Sequence, residues 1–381
     1  MIPATLTRSE DRSGALLTID LAAIVANWRT LKRLGGPGCD VGAVVKADAY
    51  GLGLVPVAQA LKSAGCTTFY VAHIDEGIAL RPALGPEPRI LVMHGPNPGT
   101  EKDFAAHHLI PVLSTPPQIK AWRGFAHSSD VLMESVVQVD TGMNRLGLTA
   151  AEFESHVANP DGFLGLHPLA LMSHLACADT PEHPMNARQR EHFASALSVF
   201  RGKFPDAKGT LANSSGLFLG RAFVFDMARP GVALYGVNPT PGGANPMVPV
   251  VRLQAKILQV RRVDAAAPVG YGAAHLTPDG AKLATVSMGY ADGLLRSWSP
   301  NGRAFVDDFA VSVAGRVSMD LTTFDVSIVP ESALGPGAVI DIIGTRHTVD
   351  DVAREAGTIG YEVLTALGSR YTRRYLPAVR T

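Results

Sequence analysis

The sequence predicts a (β/α)8 TIM-type barrel followed by a second, mostly β C-terminal domain. Short apolar, β-branched runs alternate with amphipathic runs from about residue 41 to 240, as the strands and helices of a parallel α/β fold do. A stretch rich in Pro, Gly and Asn at residues 238–249 then ends this pattern. We therefore expect the barrel in residues 1–245 and the β domain in residues 246–381, with about the first 20 residues available to pair with the β domain.

The barrel prediction depends on eight strand candidates that are separated by helix-like stretches. In the first such stretch, residues 54–65, apolar residues recur every three or four positions, and Gly65 stands where the helix should end. A longer stretch at residues 186–204 has the same spacing. Such alternation over about 200 residues is typical of a closed parallel barrel. In chain order, the strand candidates are residues 41–47, 68–73, 89–94, 110–114, 134–140, 170–176, 209–213 and 228–236.

The second domain is predicted from segments in which polar and apolar residues alternate, as in half-buried antiparallel strands. These segments cover residues 251–263, 282–291 and 309–329, and one amphipathic helix is expected at residues 349–357. A mostly β domain should therefore follow the barrel.

The composition excludes several classes of function. The 381 residues are 46% hydrophobic and 18% charged, which indicates a globular protein with a large core. The formal net charge is zero, so we expect neither nucleic acid nor a membrane surface as partner. Cys39, Cys66 and Cys177 are too few for a disulfide framework, and the histidines lack metal-ligand spacing, so no metal is predicted. Residues 1–14 are polar and lack the apolar run of a signal peptide, and no long apolar stretch occurs; we expect a cytoplasmic protein.

Reactive side chains recur just past the predicted strand ends, where a barrel opens into its active-site mouth. Lys46 ends the first strand candidate, and the later ones are followed by residues 140–145, His174, Ser214 with Asn213, and Arg229. Each of these alone is more often a solvated or a core residue. Their convergence in one mouth predicts an active site.

Lys46 at a strand end suggests covalent attachment of an aldehyde as an imine. The amine must be unprotonated to attack, and burial near arginines would lower its pKa from the ordinary value of about 10.4. Loops at residues 214–216 and 230–231 offer backbone N–H groups that suit a phosphate. A lysine with a phosphate site predicts pyridoxal 5'-phosphate as the cofactor.

Eight segments of the chain resemble the signature segments of the alanine racemase family. That family combines a barrel with a C-terminal β domain, uses pyridoxal phosphate, and works as a head-to-tail homodimer that interconverts L- and D-alanine. The resemblance implies the same for this chain. The segments are AVVKADAYGLG (43–53), VDTGMNRLG (139–147), SHLACAD (173–179), ANSSG (212–216), ARPGVALYG (228–236), VGYGAAH (269–275), GYADG (289–293) and GRVSMD (315–320).

The resemblance also implies how the cofactor is held. Lys46 matches the lysine that attaches it covalently, and Arg229 matches the arginine that faces its pyridine nitrogen. A guanidinium is a poor proton donor, so the ring nitrogen should stay unprotonated, which favours racemisation over transamination or decarboxylation. The positions that match phosphate-binding residues are Tyr50, Ser214, Gly231, Val232 and Tyr361.

Racemisation needs a base on each face of the α-carbon. By resemblance, Tyr271 of the other subunit takes the proton from L-alanine and Lys46 takes it from D-alanine. A phenol is a weak base unless cationic neighbours stabilise its anion, and His174 with Arg229 matches the chain that tunes it.

Substrate contacts are implied at two further positions. Arg145 matches the arginine that reaches the cofactor's phenolic oxygen and the substrate carboxylate, and the backbone N–H of Met319 should hold the same carboxylate. Asp320 matches a carboxylate that orients groups near the lysine. The positions that match the entry corridor are Asp179, Tyr290, Arg296 and Arg316.

Two positions depart from the pattern of many members. Gln138 stands where these carry a lysine modified by carbon dioxide; an amide can hydrogen-bond Arg145 but cannot balance its charge. Ser318 stands where some members have cysteine.

Three alternatives remain open from the sequence. The first is a serine or broad-range racemase of the same fold, because the size of the side-chain pocket depends on tertiary packing. A lyase is disfavoured by Arg229, and a non-catalytic cofactor-binding module is disfavoured by the β domain that carries Tyr271 and Met319.

Overall fold

Parallel strands form a closed barrel in the first two thirds of the chain. The computed structural model describes residues 10–299, 301–335 and 337–377. Residues 1–9 lie outside the described residues; they make up most of the N-terminal segment (1–14) for which the sequence predicts no signal peptide. The barrel strands pair in the order β2-β10-β9-β8-β7-β6-β5-β4-β3, whereas β1 belongs to a second sheet. In chain order these strands are β1 (Ala15–Asp20), β2 (Asp40–Val41), β3 (Ala43–Val44), β4 (Thr68–Val71), β5 (Arg89–Val92), β6 (Ile110–Leu113), β7 (Met133–Gln138), β8 (Leu166–Met172), β9 (Lys208–Thr210) and β10 (Met227–Ala228).

Gly42 divides one barrel strand into β2 and β3 and thereby closes the barrel. β2 pairs with β10 on one side, and β3 pairs with β4 on the other. A Cβ atom at Gly42 would lie 2.6 Å from the carbonyl oxygen of Thr68 and 2.7 Å from the ring of Tyr70, so no side chain fits there. The nine short strands therefore make eight strand positions, which confirms the predicted (β/α)8 barrel.

Helices cover the outside of the barrel and begin at residues that can cap them. Thr149 accepts a hydrogen bond from the backbone of Glu152, whose carboxylate accepts in return, at the start of α7. The first helical position of α6 and of α8 is a proline, whose missing N–H costs nothing there. The helices are α1 (Leu21–Gly35), α2 (Lys46–Tyr50), α3 (Leu54–Ser63), α4 (Ile74–Leu84), α5 (Glu101–Ala106), α6 (Pro116–Ser129), α7 (Ala150–Ala158), α8 (Pro184–Lys203), α9 (Val349–Ala356) and α10 (Gly360–Ala366).

The eighth strand candidate, residues 228–236, was wrong over most of its length. β10 ends at Ala228, and Val232–Tyr235 is a 3-10 helix. Pro230 has no N–H to donate to a strand ladder, and Gly231 has a φ of −125° and a ψ of −85°, which is not extended backbone. The chain therefore leaves the barrel two residues after Ala228 and turns over its mouth.

The second sheet is mostly antiparallel and is built from both ends of the described chain. β1 pairs antiparallel with β11 and parallel with β19. The long strand β11 pairs with β18 and, beyond a bulge, with β14, so that six strands form a closed ring. The strands are β11 (Val251–Arg262), β12 (Ala267–Val269), β13 (His275–Thr277), β14 (Lys282–Val286), β15 (Arg303–Val306), β16 (Phe309–Val313), β17 (Thr322–Asp325), β18 (Val339–Ile343) and β19 (Thr372–Leu376).

The last strand of this sheet touches the barrel mouth. Arg373 and Tyr375 of β19 donate hydrogen bonds to the carbonyl oxygens of Gly51 and Leu52, at 2.9 and 3.0 Å. The loop that follows Lys46 is thus held from the β sheet. Among the described residues, no helix is both long and apolar enough to cross a membrane.

Candidate active site

A cavity of about 470 Å³ opens at the carboxyl ends of the barrel strands. It brings together side chains from loops that are far apart in the sequence, as the rule for barrel mouths predicts. Its walls include every predicted cofactor-binding residue: Lys46, Tyr50, Arg145, His174, Ser214, Arg229, Gly231, Val232 and Tyr361.

Lys46 begins an unusual left-handed turn. The four residues from Ala47 to Tyr50 have φ values between 52° and 57°, a conformation that costs about 1–2 kcal/mol for each residue with a side chain. Hydrogen bonds from Gly51 N to the carbonyl of Ala47 and from Leu54 N to the carboxylate of Asp48, at 2.8 and 2.6 Å, offset this cost. The turn lets Lys46 and Tyr50 both line the cavity.

The charge state of Lys46 is set by its surroundings. Burial lowers the pKa of its amine, the positive charge of Arg145 lowers it further, and the carboxylate of Glu76 acts in the opposite direction. The unprotonated amine that imine formation requires is therefore easier to reach here than in water.

One end of the cavity forms a cradle of hydroxyl and backbone N–H groups. The Oγ atom of Ser214 accepts hydrogen bonds from the N–H groups of Gly231 and Ala233, at 2.9 and 3.3 Å. A Cβ atom at Gly231 would collide with the hydroxyl of Tyr50, so the backbone can approach this end only as glycine. Burial raises the pKa of Tyr50, and raises that of Tyr361 to about 12, so both phenols are neutral donors at pH 7. This cradle fits a phosphate group.

Arg229 lies under the cavity and is only 3% exposed. Its Nη1 donates to Thr210 Oγ1 at 2.5 Å and its Nη2 donates to the carbonyl of Ser173 at 2.6 Å. No carboxylate bonds to it in the described part of the chain, and its Nε makes no hydrogen bond to any described residue. Burial lowers the pKa of Arg229 to about 10, which still leaves it protonated at neutral pH. It is thus a buried cation that can donate to a neutral acceptor in the cavity.

His174 is held neutral beside this cation. Its Nδ1 lies 3.4 Å from Nη2 of Arg229, and since a guanidinium can only donate, Nδ1 accepts and the ring proton is on Nε2. Burial, Arg229 and Arg145 lower the pKa of His174 to about 3. Gln189 of α8 fixes the backbone at this point by donating to the carbonyl of His174 at 2.9 Å.

Acidification should therefore destabilise the folded protein through His174. Between about pH 6.5, where an unfolded histidine takes up a proton, and pH 3, where the folded one does, the unfolded state binds the extra proton. Stability from this source is fully present above the window and is lost as the pH falls through it, by at most about 1.4 kcal/mol for each pH unit within it. We expect the cofactor-free His174→Gln variant to lose less stability than wild type between pH 7 and pH 5, measured by urea unfolding at one protein concentration. Parallel pH profiles of the two proteins would contradict the assignment.

Among the described residues, Gln138 makes no hydrogen bond to Arg145, although the sequence allowed one. Its side-chain amide is 8% exposed and donates to the carbonyl of Leu146 at 3.2 Å. The loop between them is shaped by Asp140, whose carboxylate accepts the N–H groups of residues 142–144 at 2.8–2.9 Å. Arg145 is carried to the cavity by this loop, with no carboxylate bonded to it among the described residues.

Two family models match nearly the whole chain. The one described as alanine racemase, N-terminal domain, matches residues 19–239, and the one described as alanine racemase, C-terminal domain, matches residues 250–375. The chain belongs to the alanine racemase family. This confirms the resemblance that the eight sequence segments carried.

Similar proteins of the alanine racemase family extend over almost the same length. The chain is 50% identical to "Alanine racemase" of Rhodospirillum rubrum over 96% of this chain and 97% of that protein. It is 46% identical to "Alanine racemase, catabolic" of Mesorhizobium japonicum, over 97% and 95% of the two chains. Among solved structures, the chain is similar to alanine racemase from Bartonella henselae "with covalently bound pyridoxal phosphate", with 37% sequence identity and a TM-score of 0.90. The superposition covers 96% of this chain and 100% of that one.

In this member of the alanine racemase family, two predicted site residues lie outside the chain's own cavity. Tyr271, at the turn between β12 and β13, is 74% exposed, and Met319 is 54% exposed. Tyr271 shares a shallow depression of the β sheet with Arg316 and Ser318. Neither Tyr271 nor Met319 lines the cavity of Lys46.

The residues expected along the entry corridor are also spread over the surface. Asp179 is exposed and lies close enough to Tyr361 to contribute to the rise of its pKa. Tyr290, Arg296 and Arg316 are exposed on the β sheet side. Asp320 accepts a hydrogen bond from Arg370 at 2.7 Å rather than reaching Lys46 of the same chain.

The sequence reasoning missed Met93 and His94, which line the cavity just beyond β5. The available signal was the strand-end rule, since both residues close a correctly predicted strand candidate. Burial lowers the pKa of His94, and the nearby His73, Lys46 and Arg145 lower it further, so His94 is neutral at pH 7. Within the described ranges, no group of three or more His, Cys, Asp or Glu side chains could hold a metal ion.

Proposed function

We propose that this chain is an alanine racemase that interconverts L- and D-alanine with pyridoxal 5'-phosphate as its cofactor. The observation that carries the proposal is the cavity that holds Lys46, the phosphate cradle and the buried Arg229 together. A buried guanidinium in that place, without a carboxylate among the described residues, supports racemisation over the lyase alternative.

Different residues of the cavity would bind different parts of the cofactor. Lys46 attaches it covalently, and Arg229 donates to its ring nitrogen while keeping that nitrogen unprotonated. When bound, the cofactor's conjugated ring accepts the electron pair that is released when the α-carbon loses its proton. The phosphate would be held by Tyr50, Ser214, Gly231, Val232 and Tyr361.

Gly231→Ala should weaken cofactor binding by at least about tenfold, because the added methyl group collides with the Tyr50 hydroxyl inside the cradle. The dissociation constant can be measured by titrating cofactor-free protein with pyridoxal phosphate and following its absorbance. Gly202→Ala on α8 is the matched control, since a Cβ atom there meets nothing within 4 Å. Equal dissociation constants for the two variants would show that the phosphate does not lie against Gly231.

Two bases act on opposite faces of the substrate. Lys46 takes the α-proton of D-alanine, and Tyr271 of a second copy of the chain takes that of L-alanine. Arg229 supplies the positive charge that makes a phenolate accessible, and neutral His174 transmits it through its hydrogen bond from Arg229. The proton that one base removes is replaced by the proton that the other base carries.

The substrate carboxylate would be held by Arg145 and by the backbone N–H of Met319 from the second copy. Arg145 has no carboxylate bonded to it among the described residues and faces the cavity, which leaves its charge available to an anionic group. Gln138, at the position where many members carry the modified lysine, has no charge that would compete with the substrate carboxylate for Arg145.

The positions of Tyr271 and Met319 support a homodimer with shared active sites. Tyr271 and Met319 are exposed and outside the cavity of their own chain, which supports a role for them in the cavity of a neighbouring copy. A twofold axis would build two identical sites, each from the barrel of one copy and the β domain of the other. We place the division between the two domains near residue 245 and expect a cytoplasmic enzyme. The reaction would either supply D-alanine for peptidoglycan or degrade it.

Relative turnover of L-alanine, L-serine and L-lysine tests the substrate. We expect alanine to be racemised fastest, measured as the appearance of each D-enantiomer by chiral chromatography. Faster turnover of serine would establish the serine or broad-range racemase instead. Release of carbon dioxide or glycine would indicate a lyase.

A further inference from the structure

Glu76 lies next to the lysine turn although it is 30 residues away along the chain. It is the third residue of helix α4, and both of its carboxylate oxygens are occupied by backbone N–H groups. Oε2 accepts from Ala72 at 2.7 Å and from His73 at 3.0 Å, which caps the start of α4. Oε1 accepts from Ala47 at 2.6 Å. Ala47 is the residue that directly follows Lys46.

The hydrogen bond to Ala47 lies at the first residue of the left-handed turn. A turn of residues with positive φ persists only where its surroundings hold it. Asp48 closes the far end of the turn by accepting from Leu54 N. Glu76 is the group from outside the turn that fixes its start, and so fixes where the backbone of Lys46 points.

Glu76 also supplies a negative charge near the lysine nitrogen. The groups that shift the pKa of Lys46 are its own burial, Arg145 from the loop after β7, and Glu76, and of these only Glu76 favours the protonated form. His94 and His174 face the same space from the loops after β5 and β8, and their lowered pKa values leave both neutral at pH 7. Glu76 is therefore the anion that balances Arg145 at Lys46.

A second helix shows what a capping glutamate does when no lysine turn is near. Glu152 is the third residue of α7 and accepts from Thr149 N at 2.9 Å, as Glu76 does from His73 in α4. Among the described residues, its carboxylate accepts hydrogen bonds only from the backbone N–H and the hydroxyl of Thr149, both at Oε2. The bond from Ala47 to Glu76 is thus additional to helix capping.

We propose that Glu76 is a positioning residue for Lys46: it holds the start of the left-handed turn and places one negative charge beside the lysine. This inference rests on the proposed role of Lys46 as the cofactor attachment. Glu76 itself does not touch the reacting atoms.

The test compares three variants of the full-length, cofactor-loaded protein: Glu76→Gln, Glu76→Asp and the control Glu152→Gln. Two quantities are compared across all three variants, and kcat and KM for alanine are measured as well. One is the pH midpoint of the visible absorbance change of the lysine-bound cofactor, and the other is the dissociation constant of the cofactor. Helix capping alone would not move the pH midpoint, and thermal unfolding monitors the loss of capping separately.

Glu76→Gln removes the charge, so the protonated form of the lysine nitrogen is disfavoured and the midpoint should fall by about half a pH unit or more, roughly a threefold change in the protonation equilibrium. Glu76→Asp keeps the charge but is one methylene too short to reach Ala47. Its midpoint should stay near that of wild type, while cofactor binding weakens by about tenfold and kcat falls more than KM rises. Glu152→Gln should match wild type in both quantities.

A midpoint and a dissociation constant for Glu76→Gln that equal those of Glu152→Gln would overturn the inference. If Glu76→Gln fails to fold, Glu76→Asp decides: cofactor binding and kcat equal to those of Glu152→Gln would refute the positioning role. These failures leave the proposed function intact, because wild type still shows lysine-bound absorbance. A wild type without that absorbance would overturn the proposed function and this inference with it.

Discussion

Replacing Lys46 with alanine should lower kcat for alanine racemisation by at least about 10³–10⁴-fold in both directions. The amine is both the attachment point and one of the two bases, and the cavity offers no other lysine among its lining residues. The visible absorbance of lysine-bound cofactor should vanish as well. Both are measured on purified protein, by a coupled D-alanine assay and by an absorbance spectrum after removal of free cofactor.

The control for Lys46→Ala is Lys102→Ala, which removes an exposed lysine from helix α5. It should retain wild-type kcat and absorbance. Unchanged secondary structure by circular dichroism would show that Lys46→Ala is folded. Racemisation within tenfold of wild type in folded Lys46→Ala would mean that Lys46 is not the base.

Replacing Tyr271 with phenylalanine should lower kcat for L-alanine by about 10²–10⁴-fold, because the phenol is the proposed base on that face. The cofactor should stay attached, since Tyr271 lies outside the cavity that holds Lys46. Leu258→Ala is the control: it shortens another exposed side chain of the β sheet, outside both the cavity and the predicted entry corridor. A Tyr271→Phe variant as active as this control would refute the two-base assignment.

Mixing the two inactive variants tests whether the sites are shared between copies. A dimer of one Lys46→Ala chain and one Tyr271→Phe chain contains one site with both wild-type residues. Random pairing of co-expressed chains should therefore restore about a quarter of wild-type activity. Activity no greater than the sum of the separate variants would show that Tyr271 serves its own chain or none.

Much of the fold could be predicted from the sequence because strands and helices depend on local patterns of polar and apolar residues. Alternating strand and helix patterns located the barrel, and polar–apolar alternation located the long strand β11, which ends one residue earlier than expected. The error at residues 228–236 has a local cause too: Pro230 interrupts a run of apolar residues that otherwise looks like a strand. The first 20 residues were expected to be available to pair with the β domain, but the particular partners of β1, strands β11 and β19, could not be read from sequence, since strand partners depend on tertiary packing.

The site was readable where strand ends carry reactive residues, and hidden where the backbone is unusual. Residue propensities do not predict four successive residues with positive φ after Lys46, because the conformational free energy that this turn costs is offset by groups far away in the sequence. In the sequence, Glu76 has only the pattern of a helix-capping residue. Its hydrogen bond from Ala47 joins two segments that are far apart in the chain, so it can be seen only in the folded barrel. The neutral state of His174 likewise depends on burial and on Arg229, which no local pattern reveals.

Optical rotation of alanine shows directly whether the protein is an alanine racemase. Purified protein with added pyridoxal phosphate is incubated in separate experiments with L-alanine and with D-alanine. Alanine racemisation at Lys46 predicts that rotation decays to zero from both sides, that total alanine is conserved, and that Lys46→Ala abolishes both decays. Constant rotation with fully loaded protein, or decay accompanied by loss of alanine to a keto acid, would contradict it.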